Sequence, residues 1–516
     1  MAFFGNRLKH VACKLWDATD SNFDFPERSD PNLKIAELDS KPNVGLAFSG
    51  GGTRSASATL GQLRGLTHLN LLKNVRYISC VSGGSWTCVP FSYLPNGITD
   101  KTFLGQVVPP QELTLQNLQT SPQNRGAHAI ANSGLFDNFL KHSARFAGDE
   151  TFSRALGDTF LHPLGIDSLK RFFTLNQKSV DDILTRNPKM NEKDFYQVRS
   201  DRPFLIVGST LVRPKNKFHF ETTPLYAGIR VLHAGAGSKG RDIGGGYLEP
   251  FGFDSEEPED PPGADTVVTV RLGGSRHRYT LSDVIGTSGA PSSGVLAKLS
   301  IDWLGLPEFK YWSAVNPNVN AREYTFGDGG LLENLGIMPL LARKVYRIIV
   351  FVNTKHELKG GGKGQINDSI PPLFGQTPDF KLNRVFSESK YQPLVQGLLD
   401  AKEAEGTVLF KDTYTVQENL HYGIEGGWDV EILWVYNERV KAWESELAPE
   451  VKSEVSQLIG TGSPGGFPHY KTFFQNFPAI IDLSSEQVSL LAELSCANII
   501  SNKRLFEDTL NQSDKG

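Results

Sequence analysis

The sequence predicts an α/β fold built on a central, mostly parallel sheet flanked by helices. Three observations carry this. Apolar runs of strand length alternate with longer amphipathic stretches; a run of glycines follows the first such strand directly; and a second apolar run ends in a serine followed by two glycines. All three lie within residues 44–86, VGLAFSGGGTRSASATLGQLRGLTHLNLLKNVRYISCVSGGSW.

Val44–Phe48 is short, apolar and bounded by turn residues, as suits a buried parallel strand. Gly50, Gly51 and Gly52 then turn the chain and present N–H groups that no side chain obstructs, just as a helix begins near Ser55. Such a loop can hold an anion. Leu60, Leu63, Leu66, Leu69 and Leu71 supply the helix face that covers the sheet. Tyr77–Val81 returns as a strand, and Ser82 stands on the turn into the next helix, where its hydroxyl is clear of the backbone. Glycine loop and serine should meet at adjacent strand ends, where open parallel sheets bind ligands.

A serine nucleophile needs a base and donors for the oxyanion. The best base is Asp328 in YTFGDGGLLENLGIMPLL, after a short apolar run and before a helix that Asn334 could cap. For Ser82 the plain alternative is an ordinary strand-to-helix turn; for Asp328, a turn residue; for Arg54, a brace of the glycine loop.

Further along, residues 204–211, 267–270, 346–352 and 429–435 read as strands, and 484–502 as a closing helix with a Ser484/Gln487 capping box. Residues 96–200 have helical periodicity broken at Pro109 and Pro110, and are expected as an insertion over the active-site face. Residues 234–265, rich in Gly, Pro and acid, are expected as a mobile loop, and 359–364 as a glycine-rich linker. Residues 1–40 form an arm in which Phe4, Leu8, Val11 and Leu15 share a helical face, with Arg7, Lys9 and Lys14 away from it. That suits a helix packed on the body, and also one lying on a membrane surface. The expected organisation is this arm and one elaborated α/β domain over 41–516.

With 516 residues and 39% apolar content the chain can bury a large core, though length alone would allow two to four domains. A net charge of −4 argues against a nucleic-acid binder. Cys13, Cys80, Cys88 and Cys496 are too scattered for a disulfide framework and offer no zinc pair, so a reducing compartment is the default. Neither a signal-peptide core nor a membrane-length apolar run is present, so the expected location is cytoplasmic, with peripheral membrane contact open.

Several motifs are decoys. Gly235 to Gly240 spells G-x-G-x-x-G, but the glycines that follow forbid the helix a dinucleotide site needs. Ser288 offers a second serine turn but suits helix packing better. Asp254, Glu256, Glu257, Glu259 and Asp260 lack calcium-loop spacing and read as a solvated loop. Arg213, Lys215, Lys217, Arg276 and Arg278 could attract anionic headgroups, though a solvated surface accounts for them better. No histidine lies in a catalytic motif.

Taken together, Gly50-Gly51-Gly52-Thr53-Arg54, then Cys80-Val81-Ser82-Gly83-Gly84, then Asp328-Gly329-Gly330 resemble the lipid acyl hydrolases that include patatin and the cytosolic phospholipase A group, whose pattern is G-G-G-x-R, G-x-S-x-G and D-G-G or D-G-A. Cys80 departs from it, standing where the serine turn has its first glycine. The 246 residues from Ser82 to Asp328 are similar to the larger, capped branch, as are RPFLIVGSTLVRP, FHFETTPLYAG and YTLSDVIGTSGAPSS. The resemblance implies a Ser82/Asp328 dyad and an oxyanion hole at Gly51 and Gly52. It gives Arg54 a place near substrate phosphate or in loop support, and leaves Gly50, Gly84, Gly329 and Gly330 as motif support. It implies a phospholipid or lysophospholipid substrate, no metal and no cofactor. An activating protein partner and a catalytically silent lipid-binding scaffold stay open.

Overall fold

The computed structural model describes the chain apart from residues 1–8, 121–125, 132–133, 135–137, 139–149, 213–215, 259–266, 273–277, 291–305, 316–319, 378–381, 461–465, 472–481 and 512–516. In chain order the strands are β1 (His10–Asp17), β2 (Val44–Phe48), β3 (Tyr77–Val81), β4 (Phe172–Thr174), β5 (Phe195–Gln197), β6 (Phe204–Val212), β7 (Lys217–Thr222) and β8 (Ala227–Ile229). Then come β9 (Gly246–Leu248), β10 (Val267–Arg271), β11 (Glu308–Tyr311), β12 (Arg322–Asp328), β13 (Arg347–Val352), β14 (Leu409–Thr415) and β15 (Asp429–Tyr436). The helices that matter to the site are α1 (Gly52–His68), α2 (Ser85–Ser92), α3 (Leu281–Gly289), α4 (Met338–Ala342) and α5 (Ser485–Ser501).

All strands but β4 and β5 form one 13-stranded sheet. Its centre is parallel, in the order β6-β3-β2-β13-β15. The flanks are antiparallel: β14 closes one side, and β7, β8, β9, β1 and β10 extend the other. The central strands are buried along their whole length, as near-continuous apolar runs covered by helices should be. α5 begins with the expected Ser484/Gln487 capping box and packs on α1.

The placement of β12 determines the site. β3 pairs with the first half of β6, Tyr77 to Val81 against Phe204 to Gly208. β12 runs antiparallel to the second half, with Asp328 opposite Ser209. The other edge of β6 is taken by β7 from Val207 to Val212. β3 and β12 therefore meet end to end on one edge of β6, and the ends that meet are Val81 and Asp328.

Three expectations are corrected. Residues 10–17 are a strand, not part of a helix: Val11, Cys13 and Leu15 alternate inward as a period of two requires. The rest of that expected face, Phe4 and Leu8, lies outside the described residues, as does Arg7. Residues 234–258 are not a bare loop, because Tyr247, Leu248, Phe251 and Phe253 bury their side chains and β9 joins the sheet; the remainder of the expected 234–265 lies outside the described residues. β10 is half-buried at the sheet edge, its residues alternating exposed and buried.

Candidate active site

The chain leaves β3 extended at Val81 and reverses at Ser82, whose φ is 50°. Positive φ is costly for any residue with a Cβ and persists only where neighbours hold it. Here Ser82 N–H donates to Ser288 Oγ at 2.9 Å, Ser288 Oγ donates to the Gly208 carbonyl at 2.7 Å, and the Ser82 carbonyl accepts from Ser85 Oγ at 2.6 Å. Ser288 lies near the end of α3 rather than on a second serine turn, and ties the turn to β6. Cys80, the departure from the G-x-S-x-G pattern, points away into the core, its Sγ directed to the Ile206 carbonyl at 3.6 Å with Cys88 beside it.

Ser82 Oγ donates to Asp328 Oδ2 at 3.0 Å, and Gly330 N–H donates to Asp328 Oδ1 at 2.8 Å. Among the described residues these are the carboxylate's only hydrogen-bond partners. Burial pushes the Asp328 carboxyl up to about 7, and the two hydrogen bonds pull it back only in part. A base near neutrality touching a serine hydroxyl is the arrangement that can withdraw the hydroxyl proton. Both side chains are covered, Ser82 at 2% and Asp328 at 8% exposure.

The glycine loop runs beside them. Gly51 and Gly52 have φ of 144° and 61°, and a Cβ on Gly51 would lie 2.2 Å from the Arg54 guanidinium. No side chain fits that turn. α1 starts at Gly52, directly out of the loop, and Ser55 N–H donates to the Gly51 carbonyl at 3.4 Å. A Cβ on Gly83 would lie 2.1 Å from the Gly52 carbonyl oxygen, so the serine turn and the loop are in direct contact. Arg54 is 5% exposed and donates to the Asn353 carbonyl at 3.1 Å and to the Tyr470 carbonyl. Burial lowers its guanidinium to about 9. Gly84 packs against the Phe48 and Ser49 carbonyls, and Gly329 against the Gly208 carbonyl.

Two residues after the acid are placed differently from expectation. Asn334 does not cap the following helix. Glu333 instead closes the turn before that helix, accepting Leu335, Gly336 and Ile337 N–H at 2.5, 2.9 and 3.1 Å. The Asn334 carbonyl instead accepts Gly50 N–H at 2.9 Å, tying the acid segment to the glycine loop. The sequence signal was present in E-N-L-G, where a carboxylate two to four residues before turn N–H groups competes with the amide for them.

The other motifs go elsewhere. Residues 235–240 make a bend with a short helical turn and start no α-helix. Asp254, Glu256 and Glu257 are ordered against the 308–321 segment: Asp254 accepts Lys310 N–H at 2.8 Å, Glu256 pairs with Lys310 Nζ, and Glu257 accepts Ala321 N–H at 2.6 Å. Glu259 and Asp260 lie outside the described residues, as do Arg213, Lys215 and Arg276. Arg278 pairs with Asp194, and Lys217 Nζ donates to the Leu331 carbonyl at 3.0 Å. Among the described residues no helix is long and apolar enough to cross a membrane.

No family model matches the chain. Cytosolic phospholipase A2 zeta of Mus musculus is 41% identical over 69 residues, 13% of this chain and 8% of that protein. The Homo sapiens protein of the same name is 48% identical over 52 residues, 10% and 6% respectively. Among solved structures, human GIVD cytosolic phospholipase A2 superposes with a TM-score of 0.51 at 12% identity, over 93% of this chain and 63% of that one. The chain thus spans less than two thirds of that structure, and the matched stretches under a tenth of the curated relatives. At that identity the superposition shows the fold: a large central sheet flanked by helices.

Proposed function

We propose that this chain is a serine-dependent lipid acyl hydrolase that cleaves fatty acyl esters of phospholipids or lysophospholipids. The observation that carries this reading is the 3.0 Å contact of Ser82 Oγ with a buried, near-neutral Asp328 at the β3/β12 junction. The fold shared with a phospholipase A2 supports it, as do the short stretches of identity to phospholipase A2 sequences.

In this reading Asp328 takes the Ser82 hydroxyl proton as Oγ bonds to the acyl carbon. The N–H groups of Gly51 and Gly52 hold the resulting oxyanion. Collapse breaks the ester C–O bond, and the leaving alcohol takes the proton from Asp328. Water then attacks the acyl-enzyme, giving its proton to Asp328, and the fatty acid leaves as Ser82 recovers its hydrogen. Arg54, bonded to two main-chain carbonyls, holds the loop in shape. The hydrolase is one domain over 41–516, with 96–200 and 234–265 inserted in it and β1 of the arm completing its sheet. It works at a lipid surface, from the cytoplasmic side.

The test is a fluorophosphonate probe with mass-spectrometric mapping, alongside product analysis on a mixed phospholipid and lysophospholipid panel. The adduct is expected on Ser82, with fatty acid release that Ser82→Ala abolishes. An unlabelled Ser82 in a folded chain that binds lipid but releases no fatty acid would establish a silent scaffold instead.

A further inference from the structure

Beside Ser82, two glycines enclose a side chain that the reaction above does not use. A Cβ at Gly50 would lie 2.1 Å from Asn334 Oδ1 and 2.8 Å from Ser82 Cβ, so amide and serine flank the same point of the glycine loop. A Cβ at Gly330 would lie 2.6 Å from Asn334 Oδ1 and 3.1 Å from Asp328 Oδ1, so the same amide also borders the base. Any side chain at either glycine would displace it.

The Asn334 main chain is held by its bond to Gly50, but its half-buried amide has no hydrogen-bond partner in the protein among the described residues. A carboxamide carries two N–H donors, and because its oxygen and nitrogen ends are nearly alike in size, a half-turn of the amide puts Nδ2 where Oδ1 now faces the two glycines. It is also neutral, which matters next to this base: a lysine or arginine in the same place would donate equally well, but its charge would pull the Asp328 carboxyl down from near neutrality and weaken it as a proton acceptor.

We propose that Asn334 is a catalytic donor whose side-chain N–H bonds the oxyanion formed on the acyl carbon when Ser82 attacks, alongside the glycine loop. The proposal rests on the acyl-hydrolase reading and adds a third donor to it, this one from a side chain. Preorganised amide donors of this kind act on the transition state more than on bound substrate.

The test compares wild type with Asn334→Leu, which keeps the volume and removes the donors, and Asn334→Asp, which keeps the shape. Folding is checked by thermal unfolding. Asn334→Leu should lower kcat by about 10²–10³ with KM changed less than about threefold. Its affinity for a fatty-chain trifluoromethyl ketone, which Ser82 converts to an oxyanion-bearing hemiketal, should fall by a similar factor, while binding of the free fatty acid is unchanged. Asn334→Asp should show the same loss, and because it sets a second carboxyl beside Asp328 it should shift the kcat/KM profile to higher pH. If Asn334→Leu does not fold, Asn334→Asp carries the test alone. A kcat within threefold of wild type in a folded variant overturns the proposal. So does an equal loss for ketone and fatty acid, which would mean packing. A wild-type chain without Ser82-dependent turnover instead removes the acyl-hydrolase reading, and this inference with it.

Discussion

Two carboxylates border consecutive residues of β6 and have opposite fates. Asp328 on β12 pairs with Ser209 along one edge, and Glu221 on β7 pairs with Gly208 along the other. Because successive residues of a strand face opposite sides, the two side chains lie on opposite faces of the sheet. Both are buried. Asp328 meets only neutral donors, and burial raises it to about 7. Glu221 meets Arg343 Nη2 at 2.8 Å, and that guanidinium outweighs the burial and holds the carboxyl below its ordinary range. Arg343 also binds Glu27 Oε1 at 3.1 Å and Tyr226 Oη at 2.7 Å, so this side is a charged brace joining α4, β7 and the segment that follows β1. The difference teaches that burial by itself lifts a carboxyl towards neutrality, and that burial with a fixed cation makes it a strut.

The comparison breaks most visibly if the carboxylates are exchanged in importance. Asp328→Asn should cost roughly 10⁴-fold or more in kcat, comparable with Ser82→Ala, because the amide keeps the shape and loses the base. Glu221→Gln should leave kcat of the folded protein within about tenfold. His219, whose ring lies against Gly208 and is held neutral chiefly by burial, should behave like Glu221 when changed to Gln. Steady-state turnover of the folded variants decides it: a His219→Gln loss equal to that of Asp328→Asn would replace the dyad by a histidine relay.

On the strut side, Arg343→Met should cost about 3–5 kcal/mol in denaturant unfolding, since it leaves Glu27 and Glu221 buried without their cation. The kcat of the remaining folded fraction should be little changed. A loss under about 1 kcal/mol would show that water reaches these carboxylates, and the contrast with Asp328 would lose its basis.

The smallest effect sharpens the contrast through pH. Asp328 titrates near 7 when folded against an ordinary 3.8, so the folded chain holds its proton through that interval and its stabilising contribution falls as pH rises towards 7. Asp328→Asn should therefore be more stable than wild type at pH 8, by on the order of 1–4 kcal/mol, and the gap should close towards pH 4. Glu221, lowered on folding, contributes above its unfolded value and loses that contribution as pH falls through its folded value, so Glu221→Gln should be the less stable partner at pH 8. Wild-type kcat/KM should rise through about pH 7. Parallel stability curves for wild type and Asp328→Asn would deny the raised carboxyl.

Local pattern revealed a good part of this. β2, β3, β6, β13, β15 and α5 stand within a residue or two of where apolar runs and caps put them, because each is buried on both faces or properly capped. What local pattern could not reveal is pairing. Nothing in YTFGDGG says that its strand abuts the end of β3 along β6, since that depends on a register set by two segments far apart in the chain. The role of Asn334 was hidden similarly: a cap is a local reading, whereas a place between Gly50 and Gly330 exists only once three segments meet. β1 was legible, by alternation of Val11, Cys13 and Leu15, and a helical period on four residues obscured it. The residues named for chemistry came from motif spacing, and the structure adds the contact between two of them, with their roles left to the experiments above.

The end-to-end meeting of β3 and β12 has a consequence for biosynthesis. Ser82, the proposed nucleophile, is made 246 residues before Asp328, its proposed base. At about 5–20 residues per second, a ribosome exposes Ser82 for on the order of ten to fifty seconds before Asp328 exists. Throughout that time the glycine loop and serine turn can form, since β2, β3 and α1 are complete, yet the serine has nothing to deprotonate it. A nascent chain stalled before Arg322 should accordingly take up no fluorophosphonate. On the proposed reading, the chain is thereby silent while still tethered to its translation machinery, and the safeguard lies in the order in which its strands are synthesised.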